Sequence, residues 1–180
     1  MNIKSHFLEN IKIAESPNFD IRPQDKEISL IVLHSISLPP TIFGNNYVED
    51  FFLNKLSNND NEYINNIRNT KVSSHLYIKR TGEIIQFVSF DKRAWHAGKS
   101  IYEGIENCND YSIGIELEGC DDISFENIQY IKLSEIINTL LENYKYLSND
   151  RIVSHSDIAP GRKSDPGPLF DWKRLKTMIK

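Results

Sequence analysis

The chain has 180 residues, 39% of them hydrophobic and 26% charged, which fits one globular domain with a sizeable core and excludes a disordered chain. Its net charge is −4 and its lysines and arginines are scattered, whereas nucleic acid selects for a concentrated positive face. No apolar run approaches the ~20 residues needed to cross a bilayer, so neither nucleic acid nor a membrane is expected as a partner.

At the N-terminus, "MNIKSHFLENIKIAES" is interrupted by Lys4, His6, Glu9 and Asn10 and lacks the apolar centre of a signal peptide. A cytoplasmic location is therefore expected, with a mobile N-terminal stretch and no role for His6. "ISLIVLHSI" (28–36) is apolar on both alternating faces, as in a strand buried on both sides. Between 37 and 70 the pattern weakens: "NYVEDFFLNKL" reads as helix, followed by an Asn-rich surface loop and a further short helix. "HLYIKRTGEIIQFVSF" (75–90) reads as two strands about a Thr81-Gly82 turn.

"SIGIELEG" (112–119) alternates, with Ile113, Ile115 and Leu117 on one face and Gly114, Glu116 and Glu118 on a polar one. Ser124 is expected to cap a helix from Phe125 to about Tyr144, whose Leu133, Ile136, Ile137, Leu140, Leu141 and Tyr144 form an apolar stripe. "RIVSH" (151–155) is a short core strand. Asp171 caps a last helix with Trp172, Leu175, Met178 and Ile179 on its buried side. There is no internal repeat and no linker. The order of elements predicts an α/β class fold: a single domain with a central mixed β-sheet flanked by helices. With two cysteines and no export signal, Cys108 and Cys120 are expected as reduced packing thiols.

Two of the five histidines share a context, because His34 ends "LIVLH" and His155 ends "RIVSH". Strand ends in open sheets are where ligands bind. Asp165 lies ten residues beyond His155 in "SHSDIAPGRKSDPGP" and adds a carboxylate. Two imidazoles and a carboxylate match a catalytic zinc site with one position left for water. Glu116, flanked by Gly114 and Glu118, suits the base that handles that water's proton, and Lys163 suits the cation for a developing oxyanion. Taken singly, each of these residues also has a plain structural reading: a satisfied histidine, a solvated strand glutamate, a loop lysine.

Four stretches, "VLHSISLPP", "VSSHLYIKRTGEIIQFVSFDKRAWHAG", "CNDYSIGIELEG" and "SHSDIAPGRKSDPGPLFDW", closely resemble the zinc-dependent N-acetylmuramoyl-L-alanine amidases. The resemblance is nearest to the AmpD-type enzymes of cell-wall recycling and runs from about residue 20 to 172. It implies the amidase and peptidoglycan-recognition-protein fold. It also implies one zinc ion on His34, His155 and Asp165, with Glu116 as general base and then proton donor to the leaving amine, and Lys163 for oxyanion stabilisation. The implied reaction is hydrolysis of the amide joining (1,6-anhydro-)N-acetylmuramic acid to L-alanine in small muropeptides, by a monomer. Some relatives place a tyrosine beside the histidine of the "SSHLYI" region, where this chain has Ser74. Others use cysteine as third ligand, where this chain has Asp165.

The recycling enzymes carry an asparagine after the first ligand and arginines at the positions of Lys71 and Asn107; here Ser35, Lys71 and Asn107 stand there. These three, with Trp95 and His96, are candidate substrate contacts. Trp95 either stacks on a sugar or peptide or is a packing residue, and His96 either stands behind the site or is a satisfied histidine. His75, inside an alternating strand, reads as structural, orienting site groups through hydrogen bonds. A non-catalytic peptidoglycan-binding module on the same fold is the competing reading. Such a module is expected to lack one or more ligands, and here all three are present.

Overall fold

The computed structural model describes residues 1–58 and 61–180. A hairpin, β1 (Ile3–Lys4) and β2 (Phe7–Leu8), leads to β3 (Lys12–Ile13), β4 (Phe19–Ile21) and the long strand β5 (Leu30–Ile36). Helices α1 (Tyr47–Phe52) and α2 (Glu62–Ile67) precede β6 (Leu76–Ile78), β7 (Ile84–Gln86), β8 (Lys92–Ala94), β9 (Ile101–Tyr102) and β10 (Ile105–Glu106). A 3-10 turn at Cys108–Asp110 then enters β11 (Ser112–Glu118). Next come α3 (Asn127–Asn143), β12 (Ile152–Ser154), α4 (His155–Ile158) and α5 (Trp172–Met178).

The central sheet is mixed and six-stranded, in the order β12-β5-β11-β6-β7-β3. β5 runs parallel to both β11 and β12, β11 is parallel to β6, and the β6–β7 hairpin is antiparallel. Because side chains alternate, Ile31 and Leu33 of β5 and Ile113, Ile115 and Leu117 of β11 face α3. There they meet Leu133, Ile136, Ile137 and Leu140, with Leu175 of α5 completing the layer. On the other face, Leu30 and Val32 pack with Val153 and Ile158, while Phe51 and Phe52 of α1 and Ile64 of α2 cover Tyr77 and Ile85. Residues 34 and 116 share the parity of the second face. No helix among the described residues is long and apolar enough to cross a membrane.

Several expectations change in detail. The first two residues of the 28–36 segment and both ends of the 151–155 segment lie outside their strands, and α1 stops at Phe52. Part of the Asn-rich loop, residues 59 and 60, lies outside the described residues. The N-cap of α3 is Glu126, whose N–H donates to Gln129 Oε1 at 2.9 Å; Ser124 instead gives its carbonyl to Arg80 at 3.0 Å. Phe125 lies before the helix, its ring packed on Tyr130 and Phe170. The N-terminal stretch is not loose: Gln86 donates to the His6 carbonyl at 3.1 Å and accepts from Leu8 N–H at 2.8 Å, and His6 Nδ1 lies 3.0 Å from Tyr144 Oη. The polar face of β11 is buried rather than solvated, its Glu118 carboxylate accepting the Gly44 N–H at 2.6 Å and the Arg80 N–H at 2.9 Å.

Candidate metal centre and cleft

His34 is the fifth residue of β5 and pairs in register with Glu116 of β11, which in turn pairs with Tyr77 of β6. The three therefore stand in a row on one face. His155 follows β12 directly as the first residue of α4. That turn is fixed by Ser154 Oγ accepting the Asp157 N–H at 2.9 Å and Asp157 Oδ2 accepting the Ser154 N–H at 2.8 Å, a reciprocal cap. Asp165 is returned to the same spot by a loop in which its carbonyl accepts the Ser156 N–H at 3.1 Å.

Three acceptor atoms converge. His34 Nδ1 lies 2.9 Å from His155 Nδ1 and 3.1 Å from Asp165 Oδ2, and His155 Nδ1 lies 3.0 Å from Asp165 Oδ2. Among the described residues this is the group of histidine and carboxylate atoms able to hold a metal ion. Its geometry is close to that of a tetrahedral zinc site, where bonds of ~2.0–2.1 Å place ligand atoms about 3.3 Å apart. The outer nitrogens are already engaged. His155 Nε2 lies 3.1 Å from the Ala97 carbonyl, which accepts only, so its proton sits on Nε2 and Nδ1 keeps its lone pair. His34 Nε2 lies 2.9 Å from His96 Nδ1.

The electrostatics agree. Burial pushes the His34 imidazole down to about 4, with the Asp165 hydrogen bond opposing and the nearby His155 adding to the fall. Burial raises Asp165, but its contacts with the imidazoles of His155 and His34 outweigh this and hold it below the usual carboxylate range. Glu116 is raised well above its usual value by burial first and by the Asp165 charge second, with Lys163 pulling the other way. Its buried Oε2 has no hydrogen-bond partner among the described residues. A divalent cation between the three acceptors would satisfy them and would also favour the Glu116 carboxylate. The residues present fit such an ion.

A cleft of about 730 Å³ opens over this centre, lined by His34, Ser35, Trp95, His96, Glu116, His155, Lys163 and Asp165. One wall is apolar, with Leu38, Phe51, Phe52, Ile67 and Val72, and Tyr63 at its edge. A second cavity of about 450 Å³ shares Trp95, His96, His155, Arg162 and Lys163 with the first and adds Lys71, Arg93 and Asp20. Of the residues singled out from sequence, Ser35, Trp95 and His96 thus face the main cleft and Lys71 the cationic extension. Asn107 lines neither; it is exposed, sits at φ +57°, and donates its N–H to the Ser100 carbonyl at 3.0 Å. Both cysteines are free, Cys108 buried beside Tyr111 and Cys120 half-buried on the cleft wall. Sequence reasoning missed Arg162, which donates to the Ala97 carbonyl at 2.7 Å, and Asn109; only Arg162, next to Lys163, carried a local signal.

A family model described as N-acetylmuramoyl-L-alanine amidase matches residues 24–168. The chain is 46% identical to the 1,6-anhydro-N-acetylmuramyl-L-alanine amidase AmpD of Haemophilus influenzae, over 99% of this chain and 97% of that one. Its structure matches the crystal structure of a Se-Met AmpD derivative with a TM-score of 0.96 at 43% identity, covering 100% of each chain. It also matches the Escherichia coli amidase AmiD in complex with the substrate anhydro-N-acetylmuramic acid-L-Ala-D-gamma-Glu-L-Lys. There the TM-score is 0.63 and the identity 30%, over 87% of this chain and 60% of that one.

Proposed function

The chain belongs to the N-acetylmuramoyl-L-alanine amidase family, and from that premise we propose how it works. It hydrolyses the amide between (1,6-anhydro-)N-acetylmuramic acid and L-alanine in muropeptides during cell-wall recycling. The full-length likeness to AmpD and the substrate seen on AmiD support this. We take residues 1–180 as one amidase domain acting as a monomer in the cytoplasm, with a zinc ion on His34, His155 and Asp165. The observation that carries the reading is the convergence of His34 Nδ1, His155 Nδ1 and Asp165 Oδ2 beside the unpartnered Glu116 carboxyl.

Bound zinc would supply a water acidified to near neutrality and a Lewis acid for the carbonyl. The chain's own groups do the rest. Glu116, beside His34 in register, accepts the proton of the attacking water and passes it to the leaving nitrogen of L-alanine. Its buried setting suits both roles, because a carboxyl raised from its usual value holds a proton long enough to return it. Lys163 faces the same cleft and places its ammonium against the charge that grows on the amide oxygen. The apolar wall and Trp95 exclude water from the rest of the substrate, while Lys71 in the second cavity meets its anionic groups.

The test mixes zinc-loaded protein with equal amounts of anhydro-muropeptide and ordinary muropeptide and follows free peptide by mass spectrometry. Release mainly from the anhydro sugar is expected; no release from either would remove the amidase reading. In the same assay Glu116→Ala should retain zinc and lose turnover on the order of 10²–10⁴-fold. Full activity in that variant would take Glu116 out of the mechanism.

A further inference from the structure

Two consecutive residues, His96 and Ala97, touch both site histidines from behind, one with its ring and the other with its carbonyl. His96 Nδ1 meets His34 Nε2 at 2.9 Å, and the very next residue gives its carbonyl to His155 Nε2 at 3.1 Å. Consecutive residues thus engage the outer nitrogens of the two imidazoles whose inner nitrogens face Asp165. One atom holds this pair of residues in place. Asn109 Oδ1 accepts the His96 N–H at 3.1 Å and the Ala97 N–H at 2.8 Å. Asn109 is itself buried, and Arg22 fixes its backbone by donating to its carbonyl at 3.0 Å.

We propose that Asn109 is a positioning residue for the metal centre: by clamping two successive amides on one oxygen, it aims the acceptors that keep the inner nitrogens of His34 and His155 free for the ion. This rests on the metal-site reading above. A neutral imidazole carries one proton and places it where an acceptor waits, so the outer contact decides which nitrogen can bind metal. The Ala97 carbonyl is an acceptor in every state. His96 Nδ1 is one when the His96 proton is on Nε2, where Ser112 Oγ lies 3.1 Å away.

Fixing the amides of His96 and Ala97 fixes the direction of the His96 side chain and of the Ala97 carbonyl together. Other supports act on one side only. Arg162 holds the Ala97 carbonyl at 2.7 Å. Gly114 leaves space for the His96 ring, since an added Cβ would stand 2.4 Å from His96 Cγ. Among these, Asn109 is the group that both histidine supports share.

The experiment measures zinc affinity by competition with a chromophoric chelator in wild type, Asn109→Ala and Asn109→Asp, alongside circular dichroism and Tm. Asn109→Ala should bind zinc about 10–100-fold more weakly. Asn109→Asp keeps an acceptor oxygen and should hold wild-type affinity or better. Wild-type affinity in Asn109→Ala, or an equal loss in Asn109→Asp, would overturn the assignment. Should Asn109→Ala fail to fold, Asn109→Ser decides instead: its shorter side chain cannot reach both amides, so weaker zinc binding is expected, and wild-type affinity would overturn the proposal. A wild type that binds no zinc would remove the metal reading as well, whereas a zinc-binding wild type indifferent to Asn109→Ala would remove this inference alone.

Discussion

The His96 ring lies between two clusters of buried histidine, 5.8 Å from the ring of His75 and 5.0 Å from that of His34. The clusters use similar chemistry and are completed differently. Around His75 both ring nitrogens have partners: Nδ1 accepts the Gly114 N–H at 3.0 Å and Nε2 donates to the Lys92 carbonyl at 3.0 Å, with Arg22 Nη2 3.1 Å from the same Nε2. Arg22 beside it donates to the carbonyls of Phe90, Asn109, Asp110 and Ser112, even though burial lowers its guanidinium to about 10. Around His34, His155 and Asp165, acceptors face acceptors. A protein tolerates such a set where something else completes it, because buried polar groups left unmatched are costly. Burial alone therefore does not mark a functional histidine; incomplete pairing does.

The comparison breaks most visibly if the open cluster is mutated. Asp165→Ala should abolish tight zinc binding and lower turnover on the order of 10³-fold or more, the scale of losing several kcal/mol of charge stabilisation. Zinc-free stability should fall only modestly, since the carboxylate that His155 and His34 hold below its usual range is lost together with the cost of burying it. Urea unfolding in chelator, compared with the muropeptide assay, checks both halves. A large stability loss in chelator would mean that the trio is structural after all.

The closed cluster should respond the other way round. His75→Leu leaves the Gly114 N–H and the Lys92 carbonyl unmatched and should cost about 2–4 kcal/mol of unfolding free energy, with zinc affinity little changed. The pH dependence has a defined sign. Burial, reinforced by the Arg22 charge, holds the folded-state His75 at about 3, below the ~6.5 of an unfolded histidine. The folded form thus binds fewer protons, so stability is full above about pH 6.5 and falls as pH drops toward 3. In zinc-free protein the slope of urea midpoint against pH should be shallower in His75→Leu than in wild type.

How much of this was readable beforehand follows from what each residue's role depends on. His34, His155 and Asp165 were legible because strand ends and a Pro/Gly-rich loop are local patterns, and the structure brings the three within hydrogen-bonding distance. The sheet strands were legible through unbroken apolar runs, and the α5 cap through Asp171, which accepts the Arg174 N–H at 2.9 Å. Arg22 and Asn109 were not legible, because they bond mainly to backbone groups, 68 to 90 residues away for Arg22 and 12 to 13 away for Asn109. Backbone amides and carbonyls leave no trace in the residue alphabet. The N-terminal stretch was misread for a similar reason: its anchors, Gln86 and Tyr144, lie far along the chain.

The smallest expected effect falls on the residue that borders both clusters. The Ser112 carbonyl accepts from Arg22 at 2.7 Å, and its hydroxyl oxygen lies 3.1 Å from His96 Nε2, whose proton it can accept. Ser112→Ala keeps the carbonyl, so the closed cluster should be undisturbed and the unfolding free energy should fall by about 1 kcal/mol, the worth of one hydrogen bond. The hydroxyl matters to the open cluster through the His96 proton. Without an acceptor at Nε2, His96 can carry that proton on Nδ1, facing His34 Nε2, and His34 must then move its own proton to the inner nitrogen where metal would bind. Each metal-binding event would have to reverse that choice. Zinc affinity should therefore drop by less than about tenfold, below the loss for an outer partner in direct contact with a ligand. Chelator competition on Ser112→Ala and Ser112→Thr separates the cases: Thr keeps the hydroxyl and should restore affinity, and equal affinity in all three proteins would show that His34 chooses its tautomer without help from the strand beneath it.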